Sequence, residues 1–81
     1  MRSVRFTKNA KRDLEKLEPF VRIRILKQIR KLAEGQRVDL EKKKGTKNDY
    51  RLRIGDFRAI FTLESNTITI HKIGNRKNIY K

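Results

Sequence analysis

Near residue 48 the spacing of apolar side chains switches from a repeat of about 3.6 to a repeat of two, which commits the two halves of the chain to different secondary structure. Before the switch, Ala10, Leu14 and Leu17 fall at i, i+4 and i+7, one face of a helix that Thr7 is placed to cap. A second helix is expected from Pro19, whose missing N–H is harmless in a first turn, to a stop at Gly35. On it Arg22, Ile25, Leu26, Ile29, Leu32 and Ala33 share a face, while Arg24, Lys27, Arg30 and Lys31 lie largely outward. Only a residue or two separates the helices, so an antiparallel hairpin follows. Ahead of both, residues 2–6 alternate as a short strand, with Val4 and Phe6 on one side and Ser3 and Arg5 on the other.

After a polar stretch over residues 36–48, three alternating segments appear: Tyr50, Leu52, Ile54; then Phe57, Ala59, Phe61, Leu63; then Ile68, Ile70. Gly55-Asp56 and Ser65-Asn66 separate them as two-residue turns, and glycine at the first central position suits type II′. The expected fold is α+β: an N-terminal strand, an antiparallel helix hairpin, then a three-stranded antiparallel meander, with both helices on one sheet face. One domain is expected over residues 1–81, because a chain this short has no room for two cores.

Turn length fixes register. A two-residue loop at Gly55-Asp56 sets Ile54 opposite Phe57, Arg53 opposite Arg58, Leu52 opposite Ala59 and Arg51 opposite Ile60. One face is then apolar and the other carries Arg51, Arg53 and Arg58. Like charges directly opposite each other destabilise a strand pair, so Arg53 across from Arg58 breaks a local rule, and such breaks are expected at functional sites. The same logic at Ser65-Asn66 pairs Ile60 with His71 and Arg58 with Ile73, bringing Gly74, Asn75, Arg76, Lys77 and Tyr80 towards Arg58. That register also puts Lys72 on the core side opposite Ala59. Either its stem snorkels at the sheet's end or a bulge intervenes.

The chain carries 23 Lys and Arg against 9 Asp and Glu, a formal +14. An excess of that size works against a small compact domain by self-repulsion and favours polyanionic partners. Cysteine is absent and His71 is the lone histidine, so thiolate and histidine-rich metal sites are excluded. No apolar run reaches the roughly 18 residues of a membrane span, and no signal peptide is evident; a cytoplasmic location is expected. His71 reads as structural or solvent-facing.

Arginine forks match phosphate oxygens two at a time and stay charged at any physiological pH, but they do not serve as bases. Paired carboxylates and a Ser-His-Asp set are missing. Catalysis by Arg51, Arg53, Arg58, Arg76 and Tyr80 would rest on positioning and on stabilising a charged transition state. Attack of an RNA 2′-hydroxyl on its own adjacent phosphodiester suits such tools.

The segments Tyr50-Arg51-Leu52-Arg53-Ile54-Gly55-Asp56-Phe57-Arg58 and His71-Lys72-Ile73-Gly74-Asn75-Arg76-Lys77-Asn78-Ile79-Tyr80 resemble the central hairpin and C-terminal signature of the RelE/ParE toxin superfamily. That resemblance spans nearly the whole chain. It implies the toxin of a type II toxin–antitoxin system that enters the ribosomal A site and cleaves mRNA, leaving a 2′,3′-cyclic phosphate and a 5′-hydroxyl. It implies that Arg58 and Arg76 stabilise the phosphate transition state. Arg51 and Arg53, where well-studied members have lysines, would hold substrate and rRNA, and Tyr80 would orient or deprotonate the 2′-hydroxyl and stack on the nucleotide. Lys44, Lys47, Lys72 and Lys77 are the candidate RNA- and rRNA-binding lysines. The resemblance also implies a cognate antitoxin, for which an acidic segment masking the basic face makes physical sense. No cofactor or metal is expected; ribosome and mRNA are, and a membrane is not. Two other readings stay open: a gyrase poison of the ParE branch, and a non-catalytic RNA- or ribosome-binding module.

Overall fold

The computed structural model describes residues 1–79. Its elements run β1 (Ser3–Phe6), α1 (Lys8–Glu15), α2 (Pro19–Ala33), β2 (Leu40–Lys42), β3 (Asp49–Ile54), β4 (Phe57–Glu64) and β5 (Thr67–Asn75). All five strands form one sheet in the order β1-β5-β4-β3-β2, with β1 parallel to β5 and every other pair antiparallel. The α+β expectation holds, with one strand more than the sequence pattern announces. That strand, β2, pairs Leu40 with Leu52, Glu41 with Arg51 and Lys42 with Tyr50 at the edge beyond β3.

Both helices are anchored by polar groups at their ends. Thr7 caps α1 by accepting from the Ala10 N–H at 3.1 Å. Arg22, at the start of α2, donates to the carbonyls of Leu14 and Leu17, both at 3.1 Å, and so satisfies the open end of α1 while closing the hairpin. Pro19 occupies the first turn of α2, and Gly35 beyond its end has φ +77°. Ile25, Ile29, Leu32 and Ala33 are buried as the periodicity predicts, but Leu26 is exposed, because it falls at the edge of that stripe. The core is these residues with Ala10 from α1 and Leu52, Ile54, Ala59, Phe61, Ile68, Ile70 and Ile73 from one face of the sheet. Tyr50 and Phe61 stack across β3 and β4 with ring centroids 5.4 Å apart.

The β3–β4 register matches the expectation pair for pair, including Arg53 opposite Arg58. Gly55 takes φ +58°, as the first position of a type II′ turn requires, and Ser65 and Asn66 are both in the left-handed region, the signature of type I′. The β4–β5 register departs from the simple reading. It follows the turn as far as Phe61 opposite Ile70, then slips by one, so that Ile60 faces Lys72, Ala59 faces Ile73 and Arg58 faces Gly74. His71 is the extra residue of this bulge. The slip moves Lys72 out of the core and Ile73 into it, exchanging a buried cation for a buried aliphatic side chain.

Residues just beyond β1 hold the bulge in place. The His71 carbonyl accepts from Thr7 Oγ1 at 3.2 Å and Asn9 Nδ2 at 3.4 Å, and the His71 ring Nε2 lies 3.0 Å from Thr62 Oγ1. Two residues on, the Ile73 N–H donates to Asp13 Oδ2 at 2.9 Å. Beyond Phe6, therefore, Thr7 and the α1 side chains of Asn9 and Asp13 take over polar groups on the edge of β5 that β1 serves further back. No helix among the described residues is long and apolar enough to cross a membrane.

The Asp13 carboxylate is the acceptor for a part-buried backbone N–H, so its removal leaves that donor without a partner. Asp13→Ala is expected to lower stability to urea by about 1–3 kcal/mol, and Asp13→Asn, whose amide oxygen still accepts, to recover most of it. An unchanged unfolding midpoint for Asp13→Ala would remove this bond from the forces holding β5.

Candidate functional site

Residues paired across antiparallel strands point to the same side, so the register builds the sheet face away from the helices row by row. One row holds Glu41, Arg51, Ile60 and Lys72; the next holds Arg53, Arg58 and Gly74. Arg51, Arg53, Arg58 and Lys72 thus share one surface, as expected for the arginines, while Lys72 arrives there through the bulge. On the helix side an open depression of about 170 Å³ is lined by Arg2, Leu32, Leu40, Tyr50, Phe61 and Leu63. With a single charged group and no acid–base pair, it offers no chemistry comparable to the arginine face.

The sequence reading leaves Arg53 and Arg58 repelling each other without counter-charge, and the structure corrects that picture. Arg53 turns towards β2 and its approach: Nη1 lies 3.3 Å from Glu41 Oε1 and Nε 3.9 Å from Asp39 Oδ2. These carboxylates were missed because residues 36–48 carry no periodic signal to place them. Arg76 Nε lies 3.7 Å from Asp56 Oδ1, and the Arg76 N–H donates to the Asp56 carbonyl at 2.8 Å. All three pairs are well exposed, and exposed pairs of this kind contribute about 0–1 kcal/mol each.

Arg58 is different. It is only 6% exposed, and its Nη1 donates to the carbonyls of Gly55 at 2.7 Å and Phe57 at 2.8 Å. Among the described residues no carboxylate pairs with it. The segment after β5 lies beside its cross-strand partner. Residues 76–79 turn back, with the N–H groups of Asn78 and Ile79 both donating to the Asn75 carbonyl at 3.0 Å. Buried Ile79 then packs over Gly74, the cross-strand partner of Arg58. No buried side-chain nitrogen or oxygen among the described residues lacks a partner.

The turn at Gly55-Asp56 therefore gathers Arg58 and Arg76 at one end of the sheet. Lys77, whose N–H donates to Asn75 Oδ1 at 3.0 Å, sits beside them on the exposed C-terminal turn. Lys44 and Lys47 do not join this group: they occupy the β2–β3 connection at the far end of β3, roughly 20 Å along the strand. His71 is exposed and its polar atoms serve the bulge. Tyr80 lies outside the described residues. No cluster of three or more His, Cys, Asp or Glu side chains that could hold a metal ion occurs among the described residues.

Comparison with known proteins places this architecture. The sequence profile of the ParE toxin of type II toxin–antitoxin systems matches residues 4–80. Toxin RelE3 of Methanocaldococcus jannaschii is 30% identical, over 95% of this chain and 93% of its own. The toxin in the crystal structure of the RelB–RelE complex from Methanococcus jannaschii superposes with a TM-score of 0.80 at 29% identity, covering 94% of each chain. The intact Escherichia coli RelBE complex also reaches 0.80, at 18% identity over 93% of this chain and 96% of the other, a likeness of fold alone. The chain belongs to the ParE toxin family of type II toxin–antitoxin systems, within the RelE/ParE superfamily.

Proposed function

We propose that this toxin is a ribosome-dependent endoribonuclease that cuts mRNA in the A site, with Arg58 at the centre of its phosphate-binding surface. The observation that supports this most is a guanidinium held almost wholly out of water with two backbone carbonyls and no carboxylate among the described residues. A buried charge with no opposite charge costs several kcal/mol, which folding alone gives no reason to retain. A phosphate arriving on that face supplies the missing charge.

The reaction needs little covalent help from the protein. The RNA 2′-oxygen forms a bond to the adjacent phosphorus, the bond from phosphorus to the 5′-oxygen breaks, and the products are a 2′,3′-cyclic phosphate and a 5′-hydroxyl. Arg58 and Arg76 stabilise the extra charge on the phosphoryl oxygens, and Arg51, Arg53 and Lys72 hold the flanking backbone. The 2′-hydroxyl proton must go to an acceptor and the 5′-oxygen must receive one; arginine does not accept. Tyr80, by family resemblance, takes the place beside the 2′-hydroxyl. Lys77 adds a contact next to Arg76, and Lys44 and Lys47 contribute long-range attraction to rRNA rather than contact with the scissile phosphate.

A cognate antitoxin is the second partner in this reading. Its support is the pair of relatives solved in complex with RelB and the outer face of α2, where Phe20 is 67% and Ile23 60% exposed between basic residues. An acidic segment with apolar anchors fits such a surface. The family match to ParE also supports a second reading, poisoning of DNA gyrase, which does not call on the arginine face.

Ribosomes programmed with a defined mRNA are expected to yield a cut in the A-site codon with the two end groups named above. Arg58→Ala is expected to slow it by a factor on the order of 10²–10³, with Arg58→Lys only partly restoring it, and Arg76→Ala to be impaired with less effect on the fold. Cutting that persists in a folded Arg58→Ala protein sinks the site; growth arrest with intact mRNA and broken DNA selects the gyrase reading. Neutralising the counter-charges tests the same face from the other side. Asp39→Asn with Glu41→Gln is expected to tighten RNA binding about two- to fivefold at low salt, and the gain should fade as salt rises. Weaker binding in that double variant would mean the carboxylates organise Arg53 rather than compete for it.

A further inference from the structure

Periodicity alone assigns Arg24, in the first half of α2, to a solvated outer helix face. It is exposed there, and its guanidinium also lies against the β3–β4 turn. A Cβ at Gly55 would sit 3.1 Å from Arg24 Nη2, 3.3 Å from Nη1 and 3.5 Å from Cζ, so the whole guanidinium covers the glycine. Gly55 is required for its φ of +58°, and its missing Cβ also leaves the space over which the Arg24 guanidinium lies. Arg58 Nη1 holds the carbonyl of the same glycine, and Arg76 pairs with Asp56, the next residue.

Three guanidiniums therefore converge on a two-residue turn that carries one carboxylate. Asp56 is already paired with Arg76, and among the described residues neither Arg24 nor Arg58 has a carboxylate partner. Arg24 is also exposed and hydrogen-bonds to nothing among the described residues, so the fold does not need its charge there. Because α2 packs on the opposite side of the sheet from Arg53, Arg24 carries the basic surface around the sheet's end rather than adding to its flat face.

We infer that Arg24 is an RNA-binding residue, forming with the Gly55-Asp56 turn a second phosphate subsite on the helix side, next to the one at Arg58. That the polyanion is RNA rests on the ribonuclease reading above. The phosphodiester neighbouring the scissile one would meet Arg24 as the strand passes over the turn. Arg24 takes no part in bond making; it fixes where along the strand Arg58 engages.

The test uses the whole protein and a short single-stranded RNA carrying 2′-O-methyl groups throughout, which can bind but not be cut. By fluorescence anisotropy, Arg24→Ala is expected to weaken binding about three- to tenfold and to lower the slope of log affinity against log salt by about 0.7, one phosphate contact on a single strand. Arg24→Lys should keep most of the slope, since a point charge still reaches the phosphate. Lys11→Ala, an equal charge loss on an exposed part of α1, should change affinity less than about twofold. On programmed ribosomes, Arg24→Ala should raise the toxin concentration for half-maximal cutting and leave the limiting rate in place. Arg24→Ala binding as tightly as the parent overturns the inference, as does Lys11→Ala costing as much with the same change of slope. If the parent protein cuts no mRNA, the ribonuclease reading fails, while the binding measurements still decide the role of Arg24.

Discussion

Two residues, Gly55 and Asp56, set the terms for the rest of the molecule. A turn this short admits one register between β3 and β4, and a slip of one residue would exchange the faces of both strands. Leu52, Ile54, Ala59 and Phe61 then close the core against the helices, while Arg51, Arg53 and Arg58 have to share the other side. The turn also supplies local polar partners: the Gly55 carbonyl for Arg58 and the Asp56 carboxylate for Arg76. Fold and site depend on the same backbone geometry, so the site cannot be loosened without disturbing the sheet.

Much of this was written in the sequence where a period could be read. The helix hairpin, its cap at Thr7, its stop at Gly35, both hairpin turns and the β3–β4 register follow from spacing and from residues with one conformational use. The strand β2 did not, because it is three residues long, all exposed, and held by backbone pairing to β3 rather than by an apolar face. Asp39 and Glu41 were hidden with it. The bulge left a trace, the misplaced Lys72, but spacing could not choose between a bulge and a snorkelling stem. The choice depends on Thr7, Asn9 and Asp13, some sixty residues away, meeting the backbone of His71 and Ile73. Arg24 is exposed as the spacing predicts, but a helical wheel gives only a direction around the axis and says nothing of the turn its guanidinium reaches.

Charge explains why so basic a chain keeps its shape. Among the described residues, carboxylates face Arg53, a turn carboxylate faces Arg76, and backbone carbonyls hold Arg58. The first two are exposed and cheap to break. The third is buried and has no ionic partner among the described residues, which is why the proposed function centres on it.

Under the proposed ribonuclease function, that gradient would give an incoming RNA an order of events on this face. A polyanion is first drawn by the overall field, which includes the distant Lys44 and Lys47. It then exchanges with Asp39, Glu41 and Asp56, trading weak ion pairs for arginine–phosphate contacts at little net cost. On that reading it meets last, at Arg58, a buried guanidinium with no carboxylate partner among the described residues, where an opposite charge is screened least. Replacing Arg58 by an apolar side chain of similar length would relieve the free protein of a buried cation, yet the sequence retains it. The proposed function accounts for this buried cation in the complex with RNA rather than in the free fold.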